Sequence, residues 1–209
     1  MKIIALYLPQ FHKVPENDAW WGKDFTDWVS TKNGFPMFEE HYQPHIPINN
    51  NYYNLLEKEV MEWQAKLMHD YQVDGLCFYH YWFNGRMVLE KPAENLLKNK
   101  SNPMRFCFAW ANEPWTKTWH GAGGEKEILF PEIYGGEEEW KNHYLYFSNF
   151  FKDDRYIKEN NKPLIIIYRL RNIPRFNDMI RFWNECAKKD GFEGGYIISM
   201  NTSREHDSK

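Results

Sequence analysis

Five short, almost unbroken apolar runs punctuate the chain, at residues 2–8, 75–82, 105–111, 163–169 and 195–200. Runs of this length without polar alternation are what parallel strands buried on both faces require. Amphipathic stretches lie between them. Over 54–71, Leu55, Val60, Trp63, Leu67 and Met68 roughly keep helical spacing, and Glu, Lys and Gln fill the other face. Over 173–190, Phe176, Met179, Ile180, Trp183 and Ala187 repeat the pattern, with Gly191 as a C-cap. Residues 90–98 and 137–151 complete the predicted helices.

This alternation predicts an α/β fold, either a doubly wound sheet or a (β/α) barrel. The segments that leave the first and third strands, 9–51 and 115–134, are long, whereas the helix-to-strand returns are short. That asymmetry favours a TIM-barrel-type fold with elaborated loops at the C-terminal strand ends. Such a barrel closes with eight strands. The expectation is therefore an incomplete barrel of about five βα units, one domain over residues 1–209 truncated at its C-terminal end. Open sheet edges would then allow self-association.

Composition narrows the function. The 26 basic and 29 acidic residues leave a net charge of -3, which gives no attraction to nucleic acid. No apolar run reaches the ~20 residues that span a bilayer, and the start at Met1 reads as a strand and not as a signal peptide. A cytoplasmic location is expected. Cys77, Cys107 and Cys186 read as buried thiols of a reducing compartment. His41 and His45 are spaced like a metal pair, but Pro44 and Pro47 deny them a helix. The glycines at 121–124 and 135–136 lack the strand-to-helix setting of a phosphate loop. No metal or cofactor is expected. Aromatics reach 18% of the chain, with 10 Trp and 13 Tyr, more than a core of this size needs. Beside polar residues, such rings suit the apolar faces of sugars.

The run at 105–111 leads straight into Asn112-Glu113-Pro114, with Trp110, Trp115 and Trp119 around it. A carboxylate at the end of a buried strand is costly to desolvate, and strand C-termini are where barrels place catalytic groups. Glu113 is the predicted acid/base of glycosidic chemistry; its bland alternative is a loop cap or a pair with Lys117. A second carboxyl is needed about 5 Å away for retention or ~6.5–9.5 Å for inversion. Glu90, Asp27 and Glu16 are candidates, although Glu90 also suits a helix first turn and Asp27 an ion pair with Lys23 or Lys32. Asn112, Trp110 and Trp115 are candidate sugar contacts. On the second strand, alternation turns either His80 and Trp82 or Tyr79 and Tyr81 toward the axis. Gln10 and His12 end the first strand. Arg169 ends the fourth, where it could bind an anionic substituent or hold Glu113 ionised.

Tyr7-Leu-Pro-Gln-Phe-His12, Trp20-Trp-Gly22, Phe25-Thr-Asp-Trp28, His41-Tyr-Gln-Pro44, Phe78-Tyr-His-Tyr-Trp-Phe83, Leu89-Glu-Lys-Pro92, Trp110-Ala-Asn-Glu113 and the run from Lys162 to Arg169 occur in order. Together they resemble the WbsX-like family of bacterial surface-polysaccharide clusters. The family is described as glycosyltransferases and looks related to the endo-α-mannosidase glycoside hydrolases of family ninety-nine, which are (β/α) barrels. Members usually continue well beyond this length, and commonly carry Glu where this chain has Asp27.

The resemblance implies an enzyme that cleaves or transfers glycosyl groups of an oligosaccharide or polysaccharide, in lipopolysaccharide, O-antigen or capsule metabolism. One rival is a glycosyltransferase using a nucleotide sugar, although no Asp-x-Asp metal-binding sequence occurs. Another is a non-catalytic glycan-binding module.

Overall fold

A computed structural model describes residues 1–116 and 127–200 of the chain. In chain order the elements are β1 (Ile4–Tyr7), α1 (Pro15–Trp21), α2 (Asp27–Lys32), α3 (Lys58–Asp70), β2 (Gly75–Phe83), β3 (Arg86–Val88), α4 (Lys91–Lys98), β4 (Phe106–Trp110), β5 (Trp115–Thr116), β6 (Ile128–Phe130), α5 (Glu137–Phe151), β7 (Lys158–Glu159), β8 (Lys162–Ile167), α6 (Phe176–Lys189) and β9 (Tyr196–Ser199). The five apolar runs are the five parallel strands, paired in the order β1-β2-β4-β8-β9.

Strand order matches chain order. With right-handed crossovers, that puts successive helices on one face, as in a barrel; a doubly wound sheet would reverse its order partway. Among the described residues the sheet does not close. Register separates its two faces. Phe78, Phe108 and Ile165 share a row, as do His80, Trp110 and Ile167, and these side chains are buried. They join one core with Met61, Ala65 and Met68 of α3, Leu96 of α4, Phe147 and Phe150 of α5, and Met179 and Trp183 of α6. Tyr79, Ala109, Ile166 and Ile198 occupy the opposite face.

At the edge strands that inner face is open: Leu6 is 51% exposed, Tyr196 44% and Ile198 39%. α5 is the best-buried helix, with Trp140, His143, Tyr144, Phe147, Phe150 and Phe151 inward, and Glu137, Glu138 and Glu139 in its first turn complementing the dipole.

Two expectations change. The segment 9–51 holds helices α1 and α2, whose few turns are too short to display periodicity. In α3 the inward face is Val60, Met61, Ala65 and Met68, while Trp63 and Leu67 are half-exposed.

Candidate functional site

The inner face and the loops after β1 and β4 enclose a cavity of about 350 Å³, within the range of small-ligand sites. Six aromatic side chains line it: Trp21, Phe25, Tyr79, Tyr81, Trp115 and Tyr168. Two carboxyl groups belong to the same lining, Asp27 and Glu113.

Glu113 stands just past β4, where the chain leaves the sheet. Its Oε1 accepts a hydrogen bond from Arg169 Nε at 2.6 Å. Asn112 fixes this geometry from beneath. Its Oδ1 accepts from the Arg169 backbone N–H at 2.7 Å, and its Nδ2 donates to the Arg169 carbonyl at 2.8 Å. Nδ2 also donates to the Tyr134 hydroxyl at 3.0 Å. Asn112 is fully buried, so it ties the ends of β4 and β8 together and cannot reach a sugar hydroxyl as expected. Arg169 lies over the Tyr168 ring, 4.7 Å from its centroid, and engages Glu113.

Asp27 opens α2 and belongs to the same lining. Its Oδ1 accepts a hydrogen bond from Gln10 Nε2, while Oδ2 is buried without a partner among the described residues. Burial raises its pKa; its own backbone N–H and the Gln10 amide oppose that shift. The expected ion pair with Lys23 or Lys32 gives way to this amide contact. Gln10 belongs to the cavity lining too, with its amide committed to Asp27. α2 is pinned by Trp28, whose Nε1 donates to the Tyr53 carbonyl at 2.8 Å and whose ring packs on Phe11 at 4.3 Å.

Of the two alternating pairs on β2, Tyr79 and Tyr81 line the cavity. His80 and Trp82 do not; they pack on α5. His80 Nε2 lies 2.9 Å from His143 Nε2, and Trp82 stacks on His143 at 4.4 Å. Burial drives the His80 pKa down to about 3 and that of His143 well below its usual value. Trp110 shares this region, edge-on to His143 at 4.7 Å. The expectation that His80, Trp82 and Trp110 contact a sugar is corrected by their place on the helix-facing side of the sheet.

Two further expectations also move away from the cavity. Glu90 pairs with Lys91 at 3.1 Å ahead of α4 and is not in the lining. His12 is buried, and burial lowers its pKa to about 4, against an upward pull from Glu90. Trp115, expected as a sugar contact, lines the cavity. It packs on Tyr81 at 4.9 Å and on Trp20 at 6.0 Å. Trp119, Lys117 and the glycines at 121–124 lie outside the described residues.

Trp21, Phe25, Ser30 and Tyr168 were not singled out from sequence, because nothing marks which aromatic of a dense set faces inward. Glu132 lies outside the cavity lining. Both its carboxyl oxygens are buried without a partner among the described residues, and burial pushes its pKa up to about 9.

A family model described as Glycosyltransferase WbsX matches residues 3–209. The uncharacterized protein WxcX of Xanthomonas campestris pv. campestris is 34% identical over 189 residues, in strain B100 and in strain ATCC 33913 alike. That match covers 90% of this chain and 27% of WxcX, so the chain spans about a quarter of the length of these relatives. Among solved structures, the GH99 endo-alpha-mannosidase from Bacteroides thetaiotaomicron superposes with a TM-score of 0.57 at 13% identity. The superposition covers 97% of this chain and 56% of that one. The same enzyme in complex with bis-tris-propane gives a TM-score of 0.55 at 14% identity, over 97% and 53%. These likenesses show the fold: an open portion of a TIM-barrel-type architecture.

Proposed function

The chain belongs to the WbsX glycosyltransferase family, and on that footing we propose that its cavity binds a glycan and that Glu113 acts as acid/base at the glycosidic oxygen. One observation carries the reading: Glu113 and Asp27 line a single cavity together with six aromatic side chains. Trp115 and the tyrosines supply flat apolar faces for a sugar ring. Glu113, oriented by Arg169, exchanges a proton with the leaving or attacking oxygen. Asp27 is the second carboxyl of the lining and favours the positive charge that develops on the ring carbon in an oxocarbenium-like transition state. The same pair serves hydrolysis by water or transfer to an acceptor hydroxyl, which accommodates the transferase description of the family. The setting is polysaccharide metabolism at the bacterial surface, as the sequence resemblance implies.

The test is turnover of a panel of bacterial surface oligosaccharides, followed by chromatography of the products. Glu113→Gln should lose about 100-fold or more of the activity while glycan affinity stays within a few-fold, the range for removing a general acid. Unchanged turnover in that variant removes Glu113 from the mechanism.

A further inference from the structure

The described lining of the cavity carries two carboxyl groups and no lysine, arginine or histidine. The two are compensated unequally. Glu113 accepts from the Arg169 guanidinium at 2.6 Å. Asp27 has a neutral amide, Gln10 Nε2, on one oxygen and no partner among the described residues on the other, which is buried. An incoming cation stabilises most a carboxylate that is withdrawn from water and lacks a positive neighbour. Aromatic side chains of the same cavity lining, Tyr79, Tyr81 and Trp21, attract an ammonium through their electron-rich surfaces. A sugar carboxylate would instead meet like charge with no basic side chain in the described lining to receive it, which is how a site excludes a wrong ligand.

We propose that the Asp27 end of the cavity is a charge-selecting subsite that prefers amine-bearing sugars over neutral ones and excludes acidic sugars. The selection acts through the field of the carboxylate, since Oδ2 is buried and Oδ1 accepts from Gln10. The proposal rests on the glycan reading above and adds the substrate class.

Binding without turnover tests it. Methyl hexosides in gluco, manno and galacto configuration, each with a C2 hydroxyl, amine or acetamide, and the matching methyl hexuronosides, are titrated at pH 7 by ligand-observed NMR. In at least one configuration the amine should bind about fivefold or more tightly than the hydroxyl and acetamide, with the uronate weakest, as one desolvated charge implies. Asp27→Asn should bring the amine-to-hydroxyl ratio to about one. Ser30→Lys, which sets a cation into the same lining, should reverse the order in favour of the uronate; it keeps the test decisive if Asp27→Asn fails to fold. Sugar binding without this charge order overturns the subsite and leaves the glycan reading standing. Failure of every member to bind overturns both.

Discussion

Arg169 Nε lies 2.6 Å from Glu113 Oε1, so the carboxyl that follows β4 is aimed by the residue that follows β8. Asn112 holds the Arg169 backbone from both its N–H and its carbonyl. Strand ends that pair in the sheet therefore fix a side-chain contact beyond it. Arg169→Met should lower kcat about 10–100-fold, with a smaller change in KM, because it releases the carboxyl from its oriented position. Arg169→Lys should recover part of the loss, since a point charge cannot reproduce the guanidinium geometry. Steady-state kinetics of the two variants check both statements.

The histidine pair His80–His143 makes acid stability a second test. Both imidazoles are buried, and burial lowers both pKa values, His80 to about 3. Below the unfolded value of about 6.5, the unfolded chain takes up protons that the folded imidazoles refuse. Stability is fully present above that pH and falls as pH drops from about 6.5 toward 3, by about 1.4 kcal/mol per pH unit for each buried imidazole. Urea denaturation between pH 7 and 5 should show this slope, and the double variant His80→Gln/His143→Gln should flatten it.

Glu132 acts in the opposite direction. Its folded pKa is pushed up to about 9 by burial, so above about pH 4.5 the unfolded state ionises while the folded state keeps its proton. Its contribution thus lowers stability progressively as pH rises through that window. Glu132→Gln should raise the unfolding free energy by about 1–3 kcal/mol at pH 7 and leave it little changed at pH 4. Thermal unfolding at the two pH values reads the difference.

The five parallel strands were legible because each is a nearly unbroken apolar run, as a strand buried on both faces requires. Residues 137–151 were placed to the residue. α1 and α2 were not, since six or seven residues show no period. The β2–β3 hairpin carried a readable signal in Asn84-Gly85, where both residues take positive φ, 50° and 86°. At the site, Glu113, Asp27, Trp115, Tyr81 and Gln10 reach the cavity. Asn112, His80, Trp82 and Trp110 do not. Sequence alternation says that neighbours on a strand face opposite ways, but not which of them faces the helices. Here His80 faces α5 because His143 and Phe147 receive it, at ring separations of 5.1 and 4.8 Å.

Among the described residues β1 and β9 are edge strands, and Leu6, Tyr196 and Ile198 are partly exposed on their inner face. Unpaired edges beside apolar surface favour association. The 209-residue chain should sediment with a concentration-dependent mass, and the double variant Tyr196→Lys/Ile198→Lys should shift it toward the monomer. Analytical ultracentrifugation over a hundredfold concentration range makes the comparison.

The most direct measurement is a crystal structure of the Glu113→Gln variant with a bound surface oligosaccharide. The predicted result is a sugar ring against Trp115 between residues 113 and 27, with the glycosidic oxygen within hydrogen-bond distance of the substituted side-chain amide at position 113. A glycan bound elsewhere on the chain, with the space between Asp27 and residue 113 empty, would contradict the account.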